Sequence, residues 1–164
     1  MKQERFTEQA QEAIVSSQEL VRQYKHSQWD IEHILLSLLL QQQGLVGEIL
    51  KELSVDTEAV RNKINAALER TPKIAYETEQ IYATPRIAQL IKKAEDEANR
   101  LKDEFISTEH LLIAIVEDKG EAGDILRSFS VDQEKVYGAL QKLRGGHRVT
   151  DTRAESKYRS LEKY

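Results

Sequence analysis

Two Glu-His pairs, Glu32-His33 and Glu109-His110, carry the most suggestive chemistry in this 164-residue sequence. A carboxylate beside an imidazole can serve acid–base catalysis or hold a metal. One reading is therefore a small helical metal-dependent enzyme that uses these four residues. The spacing argues against it. No His-Glu-x-x-His pattern is present. Neighbours on a helix point about 100° apart, so an adjacent Glu and His do not chelate one ion. The structural alternative is a glutamate favoured by the helix dipole next to a histidine packed at the helix start. His26, in a polar turn, and His147, beside Gly145-Gly146, read as surface histidines. Asp103-Glu104, just before Phe105, reads first as a solvated loop. Gly145-Gly146 has no strand before it and no Gly-x-x-x-x-Gly-Lys sequence, so it is a linker and not a phosphate cradle. A Gly-x-Ser-x-Gly elbow is also missing. With no cysteine, disulfides, Cys-based zinc sites and thiol catalysis are excluded. The residues thus predict no catalytic group, no metal and no cofactor.

The elements that must position these pairs come in duplicate. In the run 30–40, Ile31, Ile34, Leu35, Leu38 and Leu39 fall on one helical face, and Leu36 and Leu40 fill much of the other. A helix apolar nearly all round belongs in a core. Asp30 is its predicted N-cap, with Glu32 in the first turn. The run 107–116 repeats the pattern, and His110 follows His33 by 77 residues. Thr7 is the predicted N-cap of an earlier helix, and Thr84-Pro85, again 77 residues on, starts its counterpart with proline at the first helical position. Gly44 is the expected left-handed C-terminal cap after the first leucine-rich helix. Short helices over 47–53 and 123–129 follow at an offset of 76, which implies a one-residue deletion in the preceding turn. Asp56 and Asp132 then cap closing helices that run to about Leu68 and Leu143. The prediction is an all-α fold of two pseudo-symmetric four-helix repeats, eight helices in all. The first repeat spans 1–70 and the second 84–144. A linker over 71–83, with Pro72, Tyr76 and Tyr82, is expected to be partly ordered on the surface. Residues 145–164 read as a flexible connector, helical from Ala154 but poor in apolar anchors.

Composition fits this picture. Hydrophobic residues make up 40% and charged residues 32%, a globular balance. Few glycines and prolines among many Glu, Lys, Gln, Leu and Ala favour helix. The net charge of −4 argues against a dedicated nucleic-acid binder. The first residues carry no apolar stretch of signal-peptide type, and no run is long enough to span a bilayer. A cytoplasmic chain is expected.

The duplicated pattern, opening on Arg5-Phe6-Thr7-Glu8-Gln9-Ala10 and containing Glu-His-Ile-Leu-Leu and Glu-His-Leu-Leu-Ile, resembles the amino-terminal domain of Clp ATPases. The tail, 143–151 followed by 158–164, is similar to the junction into the first ATPase module of ClpB-type disaggregases, and less so to that of the protease-linked ClpC type. The resemblance covers essentially the whole chain. It implies a mobile, non-enzymatic domain above a hexameric, coiled-coil-bearing stress chaperone, capturing unfolded or aggregated polypeptide for the ATPase ring. ATP and Mg would belong to that parent, as would contact with an Hsp70-type chaperone. The isolated domain is expected to be a monomer without nucleic-acid or membrane partners. Carried over by position, the client-binding residues would be Thr7, Ile91, Asp103, Glu109 and His110. Lys93, Glu97 and His110 stand where some relatives carry apolar residues, which implies a more polar groove here. Docking of a folded adaptor, as in the ClpC type, is the alternative within the family.

Overall fold

The computed structural model describes residues 5–75 and 80–162, the last four of these by backbone alone. Tyr76 of the expected linker lies outside the described residues. Two helices form the centre. In α2 (Ile31–Leu40) eight of ten residues are buried, and in α6 (Thr108–Val116) all nine are. Leu35, Leu38, Leu112 and Ile115 are fully enclosed, each contributing about 1.5–3 kcal/mol. Leu40 is the exception, 47% exposed at the end of α2.

Around them pack α1 (Glu8–Gln23), α3 (Leu45–Glu52) and α4 (Thr57–Arg70) in the first half. The second half supplies α5 (Pro85–Arg100), α7 (Glu121–Ser128) and α8 (Gln133–Arg144). Helix starts in the two halves are 77 residues apart up to α2/α6 and 76 apart from α3/α7 onward, so the deletion falls in the intervening turn. The repeats share one core: α4 packs on α7, and α3 on α6 and α8.

The capping chemistry explains why the helices start where they do. Thr7 Oγ1 accepts the Ala10 N–H at 3.2 Å, Asp56 Oδ1 accepts the Glu58 N–H at 3.0 Å, and Asp132 Oδ1 accepts that of Lys135 at 2.8 Å. One expected cap is corrected. Gly44 has φ −74° and stands at the N-cap of α3, while Gln43, at φ 56°, takes the left-handed turn after α2. The turn needs its positive φ one residue earlier than a helix-ending glycine would place it.

The halves are also tied by short parallel pairings that two-residue strands do not announce in sequence. β1 (Gln28–Trp29) pairs with β2 (Tyr82–Ala83), and Phe6 bridges to Ile106. These are equivalent under the 77-residue offset. Thr7 N–H donates to Ile106 O at 2.9 Å, and Thr84 N–H to Trp29 O at 3.0 Å. Each half thus lends the lead-in of its first helix to the other half's leucine-rich helix.

A ninth helix among the described residues, α9 (Ala154–Glu162), packs on α8. The expectation of a free connector is corrected for residues 147–158, where Val149, Ala154 and Tyr158 are buried at 0–3% exposure. Ala154 and Tyr158 on α9, with Val149 ahead of it, supply the apolar anchors in which the segment was expected to be poor.

Candidate functional site

The polar groups collect where the lead-ins meet the starts of α2 and α6. At α2, Asp30 N–H donates to His33 Nδ1 at 3.0 Å, so Nδ1 is the acceptor and Nε2 carries the proton. Nε2 lies 2.9 Å from His26 Nδ1, and His26 Nε2 lies 3.0 Å from Leu68 O. One arrangement satisfies every group: His33 donates to His26, which donates to the carbonyl. Both rings are then neutral. Burial, with the neighbouring His26 next, pushes His33 down to about 4, and burial also lowers His26. The reading of His26 as a surface histidine is corrected: it is 3% exposed. Arg86 binds Asp30 at 3.0 Å and Glu32 at 3.2 Å across the repeat boundary, and Asp118 of its own repeat at 2.6 Å. Burial raises Glu32 above the usual carboxylate range despite Arg86.

The start of α6 uses the same plan with different residues. Ser107 N–H donates to His110 Nδ1 at 2.8 Å, and His110 Nε2 meets Asp103 Oδ2 at 2.7 Å. Asp103 holds the place that His26 holds 77 residues earlier. It is 4% exposed, so the expectation of a solvated loop is corrected for Asp103, while Glu104 is exposed. Arg144 completes the cluster, 2.5 Å from Asp103 Oδ1 and 2.9 Å from Glu109 Oε2. Burial alone would raise Asp103; the hydrogen bonds from His110, Arg144 and the Val149 N–H hold it below its ordinary range. Ser107 Oγ donates to Glu109.

Over this cluster lies segment 147–158. Glu155 Oε2 accepts from Thr7 Oγ1 at 2.7 Å and from Thr108 N–H at 3.0 Å, at the positive ends of α1 and α6. Burial, with the Glu109 carboxylate next, raises Glu155. The same two causes raise the phenol of Tyr158.

Of the five expected site residues, Asp103 and His110 meet directly, Glu109 joins them through Arg144 and Ser107, and Thr7 approaches through Glu155. All four are buried, at 0–4% exposure, and offer no open surface. Ile91, half-buried on α5, takes no part in the network. Arg144, Ser107, Val149, Glu155 and Tyr158 escaped sequence reasoning. The repeat alignment that matched His33 with His110 would also have matched His26 with Asp103. Among the described residues, no group of three or more His, Asp or Glu is arranged to hold a metal ion, and no helix is long and apolar enough to cross a membrane.

Two open surface grooves occupy pseudo-equivalent places. One, about 430 Å³, is lined by Tyr24, Leu36, Leu40, Arg61 and Asn65. The other, about 340 Å³, is lined by Arg100, Leu101, Tyr137, Gln141 and Arg148.

Fold and site together define a duplicated helical domain whose polar residues are spent on helix starts and on the joint between repeats. The chain belongs to the family described as the Clp repeat (R) N-terminal domain, whose model matches residues 5–129. It is 39% identical over 160 residues to the chaperone protein ClpB 1 of Synechocystis, covering 98% of this chain and 18% of that protein. The chain therefore spans less than a fifth of that relative's length. The Hsp104 N-terminal domain of Candida albicans has the same fold, with TM-score 0.80 and 23% identity over 92% of this chain and 98% of that one. A ClpV N-domain solved in complex with a VipB peptide also matches, with TM-score 0.66 and 14% identity over 84% of this chain and 86% of that one.

Proposed function

We propose that this domain captures exposed polypeptide segments weakly and reversibly for a ClpB-type disaggregase, and that it acts in the cytoplasm without a cofactor of its own. Membership in the Clp repeat family, with 39% identity to the N-terminal fifth of a ClpB chaperone, carries the proposal. The likeness to a ClpV N-domain that holds a peptide supports the scaffold's suitability for peptide binding. Weak affinity follows from the task, because a segment held tightly could not be released to a motor. An ATPase ring and an Hsp70-type chaperone are partners of the proposed parent.

An amide chemical-shift titration with an unfolded protein tests this. Shifts saturating at micromolar or weaker affinity, with no ATP turnover by the chain, are expected; ATP hydrolysis by the purified chain would defeat the proposal. Docking of a folded adaptor is the second reading. The burial of Thr7, Asp103, Glu109 and His110 favours it, since a folded partner can use the outer helix faces and needs none of them. An unchanged spectrum at high client concentration would select it.

A further inference from the structure

We propose that segment 147–158 is a built-in occupant of the cleft between the starts of α1 and α6, and that a captured polypeptide reaches Thr7, Asp103, Glu109 and His110 by displacing it. The inference rests on the capture reading above and names how the site is regulated.

The segment is held as a bound peptide would be. Its backbone is read at three points. Val149 N–H donates to Asp103 Oδ1 at 2.9 Å, Val149 O accepts from Glu104 N–H at 2.7 Å, and Thr152 O accepts from Glu8 N–H at 2.8 Å. None of these three bonds depends on the identity of the segment's own side chains, so another extended chain could make them. One carboxylate, Glu155, satisfies Thr7 and the Thr108 N–H, and Val149, Ala154 and Tyr158 fill the apolar floor. An incoming chain with a carboxylate followed three residues later by an aromatic group would reproduce this set.

The seat is also incomplete, which favours exchange. Among the described residues, Glu155 Oε1 and the Tyr158 hydroxyl are buried without a hydrogen-bond partner. Each orphaned polar atom costs free energy that unseating would recover. A hinge stands at the entry to the segment: Gly145 has φ 58°, and both Gly145 and Gly146 are exposed with open space around them. The segment can thus pivot at two glycines just past the end of α8, giving up the bond from Arg144 Nε to His147 O and the packing of α9 on α8.

Hydrogen–deuterium exchange on the full chain tests this, alone and with saturating reduced, carboxymethylated α-lactalbumin as the unfolded probe. The Val149 amide, which leaves Asp103 with the segment, is expected to exchange about tenfold faster or more with the probe bound, because a bond that reports seating opens locally, whereas the probe backbone can take over the bonds from Glu8 and Glu104 N–H. If the probe binds, for example with shifts around Leu40 and Asn65, while the Val149 amide keeps its protection, displacement is overturned and capture stands. If the probe binds nowhere, both fall. A second arm uses the Val149→Asp/Tyr158→Asp double variant, which places charges on the buried floor. It is expected to bind the probe about fivefold tighter or more, since the native chain's affinity is reduced by the seated fraction. Equal affinity in a folded variant overturns the proposal, and if that variant does not fold, the exchange experiment decides alone.

Discussion

His33 Nε2 lies 2.9 Å from His26 Nδ1 inside the first repeat, where the second repeat sets His110 against Asp103. The same fold position therefore holds a neutral pair in one half and a charge-bearing cluster in the other. The neutral pair is sensitive to acid. His33 sits at about 4 in the folded chain against about 6.5 for a free histidine, so the unfolded state binds the extra proton between these values. Stability from this group is complete above about pH 6.5 and is lost as the pH falls towards 4, by roughly 3 kcal/mol in all. Glu32 and Glu155, raised by burial, act in the opposite sense as the pH falls. His33→Asn isolates the histidine. Urea midpoints measured from pH 7 to 4.5 should fall more steeply in the native chain than in the variant.

Gly47 and Gly123 are equivalents under the 76-residue offset, and they should respond oppositely to alanine. A Cβ on Gly123 would stand 2.0 Å from Asp118 O, against backbone that cannot step aside cheaply, whereas one on Gly47 meets nothing within 4 Å. Gly123→Ala is expected to destabilise by about 1–3 kcal/mol. Gly47→Ala should stabilise α3 by up to about 1 kcal/mol, the helix-interior cost of glycine. Thermal denaturation of the two variants side by side is the check.

Ser17 links the only tryptophan to the core. Trp29 Nε1–H donates to Ser17 Oγ at 2.9 Å, and Ser17 Oγ–H donates to Ile14 O at 2.6 Å. Ser17→Ala leaves a buried indole N–H without its acceptor and should cost about 1–3 kcal/mol. Trp29 fluorescence would report both the lowered midpoint and the changed environment in the folded state.

What could be read in advance follows from how far apart the interacting groups lie. The leucine-rich helices, their caps at Asp30, Thr7, Asp56 and Asp132, and the duplication are local patterns, and the all-α Clp-type fold follows from them. His26 looked solvated because its neighbours Lys25 and Ser27 are polar; its burial depends on Leu68, 42 residues on. Asp103 is buried by Arg144 and Val149, and Thr7 by Glu155, at separations of 41, 46 and 148 residues. Periodicity carries no information over such distances. The pairings of Phe6 with Ile106 and of Trp29 with Ala83 involve too few residues to show an alternation.

Arg144 supplies the test of the second cluster. Among the described residues, it is the one lysine or arginine within hydrogen-bonding distance of Asp103 and Glu109; both carboxylates are fully enclosed, and its own side chain is 8% exposed. Arg144→Met keeps the helix and the volume but strands two buried carboxylates, at a cost of about 3–5 kcal/mol. The sign with pH is distinctive. Asp103, held below its ordinary value, contributes stability above about 3.8 that is lost as the pH falls through its folded value. Without Arg144 that depression shrinks, so the acid-unfolding midpoint should move to higher pH. Glu109→Gln in the Arg144→Met background removes one stranded charge and should recover part of the loss. Urea unfolding of native, single and double variants at pH 7, with acid titration of the native chain and the single variant from about pH 6 down to about 2, measures all three effects. A double variant no more stable than the single would mean that Arg144 acts through its bond to His147 O, 2.8 Å from Nε, by seating the C-terminal segment.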